Sequence, residues 1–413
     1  MRKAVAFLWG ALAPGLAVTA WAGPTAQGVP FSISSCSTCG EQAPAIAGVA
    51  SGAFLVVWTG GGATDQNGVS GRFFTRTGTP RSPDFLANKD VTPDQYDPAV
   101  AHDAQGNFIV VWSQVVDGNS EIMARRYKMT GAPLSPIFRV NQDAAGSPTI
   151  PADFNPAVAA TNDGGYIVAW MNLLPAGNGF PGGTPQVLAR KINSTGVPVG
   201  TQLKISTGLV NGDRPDVCVD TQGRPVVVWT SADGFPLFQP NHKGVSLRQL
   251  TAAGMPMGAA ESVVAAPVAS STRPAVSCGS GATFVVVWHS DQAPAAERSD
   301  ILGQRYSRLG RKVGPTFLVN VTEANEQRNP SIAHDPKGNF VVVWQSYLAG
   351  TTVGIHGRRF GANGNALSPE FAVASSATMN LNDPDVATVG AAGNFVVVWQ
   401  AGPQSIRGQR FTP

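Results

Sequence analysis

The sequence predicts an all-β fold, a seven-bladed β-propeller whose blades are four-stranded antiparallel sheets. The phrase GNFVVVWQS at 338–346 recurs almost unchanged as GNFVVVWQA at 393–401. Tryptophans that end such runs recur every 54 to 59 residues, which is a period typical of repeat architectures. With 47 glycines, 32 prolines and only 13% charged residues, the composition indicates many turns around an ample core. The seven tryptophans are Trp58, Trp112, Trp170, Trp229, Trp288, Trp344 and Trp399.

Each repeat holds four short strand-like segments separated by turns. A proline, a small or acidic residue and Val or Ile open the first segment, and the tryptophan run forms the second. A third segment such as IHGRRFG and a fourth such as FAVA complete the unit. The tryptophan run is apolar at both alternating positions, so a strand formed from it is covered on both faces. Neighbouring blades supply that cover, whereas a linear solenoid of seven units leaves exposed edges.

The two chain ends are expected to close the ring. The seventh repeat ends with its third segment, SIRGQRF at 405–411, and no fourth segment follows it. The phrase VPFSISS at 29–35 is similar to the fourth-segment phrase PEFAVASS at 369–376. We therefore expect the N-terminal segment to complete the last blade of a single propeller domain over residues 23–413.

Residues 1–22 have the pattern of a secretory signal peptide. Arg2 and Lys3 precede an apolar stretch that closes on Ala20-Trp21-Ala22. An uncleaved anchor is the alternative, which Pro14 and the small residues at the end of the stretch disfavour. No later apolar run reaches the length of about 18 residues that a membrane span needs. A secreted or periplasmic monomer is expected. A net charge of +3 without runs of like charge predicts no nucleic-acid partner.

The repeat phrases carry a resemblance to a known group of proteins. GNFVVVWQS, IHGRRFGANGNALSPEFAVA and NDPDVA resemble the repeats of propeller domains in secreted and surface-attached bacterial adhesin-like proteins. The resemblance covers 29–411 and implies a propeller in an exported protein. The chain lacks the Gly-Gly-x-Gly-x-Asp nonapeptide array found in such proteins, so calcium binding of that kind does not carry over.

No linear motif assigns a catalytic residue, a metal or a cofactor. The five histidines lack metal-ligand spacing, and no nucleophile elbow, P-loop or dinucleotide fingerprint occurs. Two hypotheses remain. The main one is a non-enzymatic binding or adhesion module for a glycan or protein partner. The alternative is a carbohydrate-active hydrolase or lyase, which an acid pair or an arginine cluster converging on the channel mouth would favour.

The residue before each first-segment proline is expected to rim the central channel. We call these seven residues the mouth ring: Ala43, Asp97, Asn155, Arg214, Arg273, Asn329 and Asp383. Only Arg214 and Arg273 are basic, and the longest loops, at 171–186 and 230–244, lie in the same sector. Those loops carry Phe180, Phe235, Phe238 and His242. Guanidinium groups beside aromatic faces predict a ligand site on the loop-rich face of blades three to five.

That site suits a glycan with acidic substituents or an acidic peptide. Alternatively, the phenylalanines only pin the long loops to the ring. The basic residues of the third segment are assigned a structural role instead, since the repeat spreads them around the ring to bond turns and neighbouring blades. They are Arg72, Arg125, Arg190, Arg248 and Arg358 at one position, and Arg126, Lys191, Arg305, Arg359 and Arg410 at the next.

Four cysteines in an exported chain favour disulfides. Cys36 and Cys39 are close enough in sequence to pair locally. Cys218 and Cys278 lie in the first segments of adjacent repeats, three and four residues after the proline. The difference of one residue reverses the side-chain direction, so the two can meet across one blade interface. Two buried free thiols are the alternative there.

Overall fold

The structure is a computed structural model, and it describes the chain in fourteen stretches. They are 23–36, 39–60, 68–88, 94–116, 119–142, 152–174, 184–206, 212–231, 244–264, 271–280, 283–291, 299–322, 326–348 and 352–413. Within these stretches the regular elements are β-strands, and no helix there is long and apolar enough to cross a membrane. The predicted signal segment, 1–22, lies outside the described residues.

Twenty-eight strands make up the described fold. In chain order they are β1 (Thr25–Ser32), β2 (Gln42–Gly48), β3 (Phe54–Thr59), β4 (Val69–Phe74), β5 (Phe85–Leu86), β6 (Gln95–His102), β7 (Phe108–Val116), β8 (Asn119–Tyr127), β9 (Phe138–Arg139), β10 (Ala152–Ala160), β11 (Tyr166–Leu174), β12 (Thr184–Ile192), β13 (Pro198–Lys204), β14 (Asp213–Val219), β15 (Pro225–Ser231), β16 (Gly244–Gln249), β17 (Glu261–Val264), β18 (Ser271–Cys278), β19 (Thr283–Asp291), β20 (Ser299–Ser307), β21 (Lys312–Leu318), β22 (Gln327–His334), β23 (Phe340–Leu348), β24 (Thr352–Phe360), β25 (Phe371–Ser375), β26 (Leu381–Val389), β27 (Asn394–Ala401) and β28 (Ser405–Thr412).

The strands form seven four-stranded antiparallel sheets, which are the predicted blades. Blades one to six are consecutive strands, from β2–β5 to β22–β25, and blade seven has the order β26-β27-β28-β1. The inner strands β2, β6, β10, β14, β18, β22 and β26 each contact the inner strand of the next blade, and β26 contacts β2. The predicted closed, seven-bladed propeller is therefore confirmed.

Closure by the N-terminal strand is also confirmed, with different bounds. β1 pairs with β28 from Thr25 opposite Thr412 to Ser32 opposite Arg407. The strand thus begins four residues before the predicted segment 29–35 and ends earlier. The register of this pairing shifts between Gln27 and Phe31, and Gly28 in that interval has a left-handed backbone. The shift allows the pairing to continue on the N-terminal side of the predicted segment, through Thr25.

The core lies between blades, as the apolar tryptophan runs predict. Val341 and Val343 of β23 pack in one cluster with Trp399 of blade seven. Val342 and Trp344, on the opposite face of the same strand, pack with blade five. Every one of the seven tryptophans is at most 2% exposed. Each blade is therefore stabilised by burial on both of its faces.

The repeated basic residues bond to backbone carbonyls, as predicted. Arg190 Nη1 donates to the carbonyl of Val140 at 2.8 Å, which lies in the preceding blade. Arg248 bonds Ile205 in the same way at 2.9 Å. At the next position, Lys191 Nζ donates to the carbonyl of Ala252 in the following blade at 2.9 Å. These side chains join blades and turns, which is the structural role predicted for them.

Hydrogen bonds between polar side chains also join adjacent blades. In each bond one partner lies three residues before an inner-strand proline, and the other lies at the end of the preceding blade. We call these bonds interblade latches: Ser34 Oγ to Glu41 Oε2 (2.5 Å), Asn88 Nδ2 to Gln95 Oε1 (2.7 Å) and Asn141 Nδ2 to Asp153 Oδ2 (2.7 Å). Glu41 and Asp153 are almost fully buried. Burial raises the pKa of each of these two carboxyl groups to about 7.

Replacing Glu41 by Gln is expected to stabilise the protein above pH 7 and to flatten its dependence on pH. Burial raises the pKa of Glu41 from 4.5 to about 7, so the folded state holds a proton that the unfolded chain has released. The stability from the protonated form is present below pH 4.5 and is lost as the pH rises through about 7. The lost amount is roughly 3 kcal/mol. Urea unfolding across this range measures it, and Gln95→Glu is expected to introduce the same dependence.

Both predicted disulfides are present. Cys36 is bonded to Cys39 and Cys218 to Cys278, with Cα–Cα separations of 5.8 Å and 5.6 Å. The second bond joins β14 of blade four to β18 of blade five inside the channel wall. The opposite side-chain directions expected from the offset of one residue are therefore confirmed, and the alternative of free thiols at these positions is excluded.

Removing the Cys218–Cys278 bond is expected to cost more stability than removing the local one. The bond spans 60 residues, against 3 for Cys36–Cys39. Loop-closure entropy then predicts a loss of about 4 kcal/mol for a Cys218→Ser, Cys278→Ser double variant and about 2 kcal/mol for the other pair. Urea unfolding of the two double variants measures the difference. Equal losses would contradict the entropic account.

Candidate functional site

The central channel opens into a cavity of about 500 Å³ near the end where the inner strands begin. The residues around the proline of each of the seven inner strands line this cavity. Since neighbouring strands of each blade are antiparallel, the connections from the second to the third strand emerge at this same end. A ligand that enters the channel from this side meets the mouth ring first.

An unusual backbone conformation recurs at every member of the mouth ring. The φ angles lie between 45° and 53° at Ala43, Asp97, Asn155, Arg214, Arg273, Asn329 and Asp383. In each inner strand the register with its neighbour shifts across this residue. Such β-bulges re-aim a side chain, and non-glycine residues in the left-handed region cluster at functional sites. The structure places all seven residues in the cavity wall, where they were predicted.

Opposite charges meet across the mouth ring. Arg273 Nη1 lies 3.4 Å from Asp383 Oδ1, although the two residues belong to blades five and seven. Asn329 of the blade between them donates from Nδ2 to the same oxygen at 3.3 Å. On the other side, Arg214 Nε lies 3.7 Å from Asp213 Oδ2. Guanidinium and carboxylate groups therefore face one opening together.

Asp97 is a carboxyl group of the ring whose proton affinity is shifted. Burial raises its pKa above the ordinary value, while the guanidinium of Arg214 and the backbone N–H of Asn155 oppose the shift. The nearby charges of Asp383 and Asp213 raise the pKa further. Asp97 thus retains its proton to a higher pH than an ordinary aspartate, which suits a proton donor.

A second cavity of about 500 Å³ opens beside the ring, over blades five to seven. We call it the side cleft, and its lining is Thr272, Arg273, His289, Asp291, Arg328, Asn329, Gln345, Tyr347, Asn382 and Asp383. Thr272 Oγ1 lies 2.6 Å from His289 Nε2. Gln345 Nε2 donates to Asn382 Oδ1 at 2.9 Å and to the Tyr347 hydroxyl at 3.4 Å. The cleft offers polar and titratable groups from three blades.

The side cleft is the part of the site that sequence reasoning missed. Its His289, Gln345 and Tyr347 follow the tryptophan of their repeats by one or three residues, where the second strand continues toward the mouth. The residue directly after the tryptophan is polar in most repeats, so the available signal was only the presence of a titratable side chain at 289 and at 347. The predicted sector covered blades three to five, whereas this cleft lies over blades five to seven.

Two further carboxyl groups lie deeper in the channel wall. Asp216 Oδ2 accepts a hydrogen bond from the N–H of Val276 at 2.7 Å, and Asp385 Oδ2 accepts one from Ile46 at 2.9 Å. Both bonds reach the inner strand of the next blade. Burial raises the pKa of Asp216 to about 7. These aspartates join blades, so we assign them a structural role.

The predicted ligand-binding residues divide into two groups. Arg214 and Arg273 lie at the channel mouth. The other four, Phe180, Phe235, Phe238 and His242, lie outside the described residues. In the part of the chain that is described, no group of three or more His, Cys, Asp or Glu side chains is arranged to hold a metal ion.

Comparisons with known proteins show the fold. No family model and no curated protein matches the chain. Among solved structures, an ulvan lyase bound to a saccharide of glucuronic acid and sulfated rhamnose is similar, with TM-score 0.58, 8% identity and coverage of 92% of this chain and 95% of that one. An α-L-arabinofuranosidase from Fusarium graminearum has TM-score 0.51 and 13% identity, covering 84% and 98%. A protein of unknown function from Dyadobacter fermentans has TM-score 0.55 and 13% identity, covering 76% and 94%.

These comparisons correct the main functional prediction. At such identities the likeness establishes a propeller and nothing finer. The structures that share the fold include polysaccharide lyases, an arabinofuranosidase and an arabinanase from Penicillium chrysogenum. The prediction of a non-enzymatic binding or adhesion module is therefore wrong on these findings, which favour the alternative hypothesis of a carbohydrate-active enzyme.

Proposed function

We propose that the protein is an exported carbohydrate-active enzyme, a hydrolase or lyase that cleaves a polysaccharide at the channel mouth. One observation carries the proposal: Asp97, Asp383, Arg214 and Arg273 converge on the same open cavity. An acid pair or an arginine cluster at this place is the feature expected of the enzyme, and both occur. The similar fold of several carbohydrate-cleaving enzymes supports it.

Hydrolysis of a glycosidic bond requires a proton donor and a carboxylate on opposite sides of the bond. Asp97 suits the donor, because burial raises its pKa. Asp383 suits the carboxylate, since it lines the same cavity and its Oδ1 lies 3.4 Å from the Arg273 guanidinium. Asp97 gives its proton to the departing glycosidic oxygen, and Asp383 either attacks the anomeric carbon or activates a water molecule.

Elimination is the second candidate, and the side cleft favours it. His289 and Tyr347 are potential bases near the guanidinium of Arg273, all of which line this cleft. In a uronic acid, such a base removes the proton next to the carboxylate, whose charge the guanidinium offsets. The bond to the neighbouring glycosidic oxygen then breaks, a carbon–carbon double bond forms, and that oxygen takes up a proton from the protonated base or from water.

Export is part of the proposal. The basic and apolar pattern of residues 1–22 supports it, as do the two disulfides, which are typical of oxidising compartments. The same physical reasoning supports secretion or residence in a periplasm.

Product analysis tests the activity and separates its two forms. The mature protein is incubated with a panel of neutral, uronate-containing and sulfated polysaccharides. New reducing ends are expected in either case, whereas ultraviolet absorbance of an unsaturated uronic acid is expected only for elimination. Tyr347→Phe is expected to abolish elimination and to spare hydrolysis. Asp163→Asn, in the turn after β10 at the other end of the channel, serves as the control. No new reducing ends from any polysaccharide would contradict the proposal.

A further inference from the structure

We propose that an anionic substituent of a glycan, a uronate carboxylate or a sulfate ester, binds between the guanidinium groups of Arg214 and Arg273. This inference rests on the proposed function, because it names the substrate class of the same site. It concerns two adjacent members of the mouth ring, on β14 of blade four and β18 of blade five. These inner strands contact each other directly.

Conformational preference does not explain arginine at these two positions. The left-handed backbone recurs in all seven blades, so it belongs to the repeat and not to the residue type. Asn and Asp tolerate this conformation best, and they occupy four of the seven positions: Asp97, Asn155, Asn329 and Asp383. Arginine in two adjacent blades departs from that preference, and the property it adds there is positive charge.

The two like charges lie close enough to disfavour one another. Burial lowers the pKa of Arg273, and the neighbouring Arg214 guanidinium lowers it further. The side chains are 45% and 34% exposed, so a ligand in the cavity can reach both. An anion between them relieves their repulsion while it gains two charge-assisted hydrogen-bond donors.

Within the described residues, the carboxylates near Arg214 and Arg273 engage only part of each guanidinium, so N–H donors remain for a ligand. Arg214 has one ion pair, at 3.7 Å through Nε to Asp213, and Arg273 has one, at 3.4 Å through Nη1 to Asp383. Neither has the short, paired geometry of a carboxylate held by both nitrogens of a guanidinium.

A structural arginine in the same chain provides the contrast. Arg224 donates to Asp220 Oδ2 from Nε at 2.9 Å and from Nη2 at 2.6 Å, and it also bonds the carbonyl of Arg308 at 2.7 Å. Arg190 and Arg248 likewise make several bonds to carbonyls. In these three structural arginines the guanidinium makes several short bonds. The guanidinium groups at the mouth do not.

Carboxylate and sulfate share the required chemistry, since each presents two or more oxygen atoms to a guanidinium. The cavity of about 500 Å³ has room for a sugar residue that carries either group. Asp383 contacts Arg273, so the anion lies next to a carboxyl group proposed to act in cleavage. The pair would therefore select acidic polysaccharides and position them.

Matched oligosaccharides test the inference by calorimetric binding measurements. The carboxylate arm compares oligogalacturonate and glucuronate-containing oligosaccharides with their methyl esters. The sulfate arm compares sulfated oligosaccharides with their desulfated forms. In at least one arm we expect the acidic form to bind at least about tenfold more tightly than its neutral counterpart. Arg214→Gln and Arg273→Gln are each expected to remove that preference, while Arg76→Gln, in a turn at the opposite end of the channel, retains it.

Equal binding of acidic and neutral forms in both arms, or unchanged preference in both arginine variants, would overturn the inference. Its failure is distinguishable from failure of the proposed function. Cleavage of neutral glycans without any preference for acidic ones contradicts only the inference. Arginine-dependent binding of an acidic glycan without cleavage of any polysaccharide supports the inference and contradicts the proposed function. Circular dichroism of each variant shows that the propeller is retained.

Discussion

A protein that lacks residues 23–32 is expected to melt at a much lower temperature than the protein that retains them, or to fail to accumulate in soluble form. The deletion removes β1, which is the outer strand of blade seven. β28 then presents an unpaired edge, and Phe31 no longer packs on Phe54 and Phe74, whose rings lie 6.5 Å and 5.8 Å from its own. Lost ladder hydrogen bonds and lost aromatic burial together amount to a destabilisation on the order of 5 kcal/mol.

Two substitutions within β1 provide the comparison. Phe31→Ala is expected to give part of the loss, because it removes the partly buried ring and keeps the backbone pairing. Val29→Ser is expected to have little effect, since Val29 is 80% exposed. Thermal unfolding followed by circular dichroism measures all three proteins. A deletion variant with an unchanged melting temperature would show that β1 is dispensable for closing the ring.

Replacing Asp97 by Asn is expected to lower the rate of polysaccharide hydrolysis by a factor of about 10² to 10⁴. Asparagine has the same shape but cannot donate a carboxyl proton. The raised pKa of Asp97 means that the active, protonated form is lost as the pH rises through that pKa. The rate of the wild-type enzyme should therefore fall on the alkaline side, and the residual rate of the variant should lack this fall.

Asp383→Asn should reduce the rate by a similar factor, because an amide can neither attack the anomeric carbon nor take a proton from water. Asparagine keeps the shape of the side chain and removes the negative charge beside Arg273. Rates are measured from new reducing ends across the pH range, with Asp163→Asn as the control. Full activity of both variants would exclude the acid pair from hydrolysis.

Much of the architecture was predictable because one physical pattern recurs seven times. The apolar residues on both faces of runs such as 340–344 require cover from two neighbours, and this requirement specifies a ring of blades. The repeat also made the Cys218–Cys278 bond predictable, because the two residues lie one position apart in neighbouring repeats and their side chains therefore point in opposite directions. The start of β1 was not predictable, because Thr25, Ala26 and Gln27 pair through their backbone and have no apolar signature.

The candidate site was predictable only where it follows the repeat. The mouth ring has a fixed position before each proline, so Arg214 and Arg273 were identified by number. The side cleft combines His289 of one repeat with Tyr347 of the next and Asn382 of a third. Their proximity depends on how three blades pack, and no spacing along the chain expresses it. The raised pKa of Asp97 likewise arises from burial by groups that are distant in sequence.

The mouth ring also has a consequence for how such a protein changes its specificity. All seven positions share one backbone conformation, with φ values that differ by less than 10°. Ala, Asn, Asp and Arg all occur there, so the scaffold tolerates each of them in this conformation, which suits Asn and Asp best. The mouth ring therefore offers seven equivalent positions around the channel axis. Exchanging the residues at two of them, such as Arg273 and Asn155, would rotate the charge pattern around the channel and leave the packing of the inner strands unchanged.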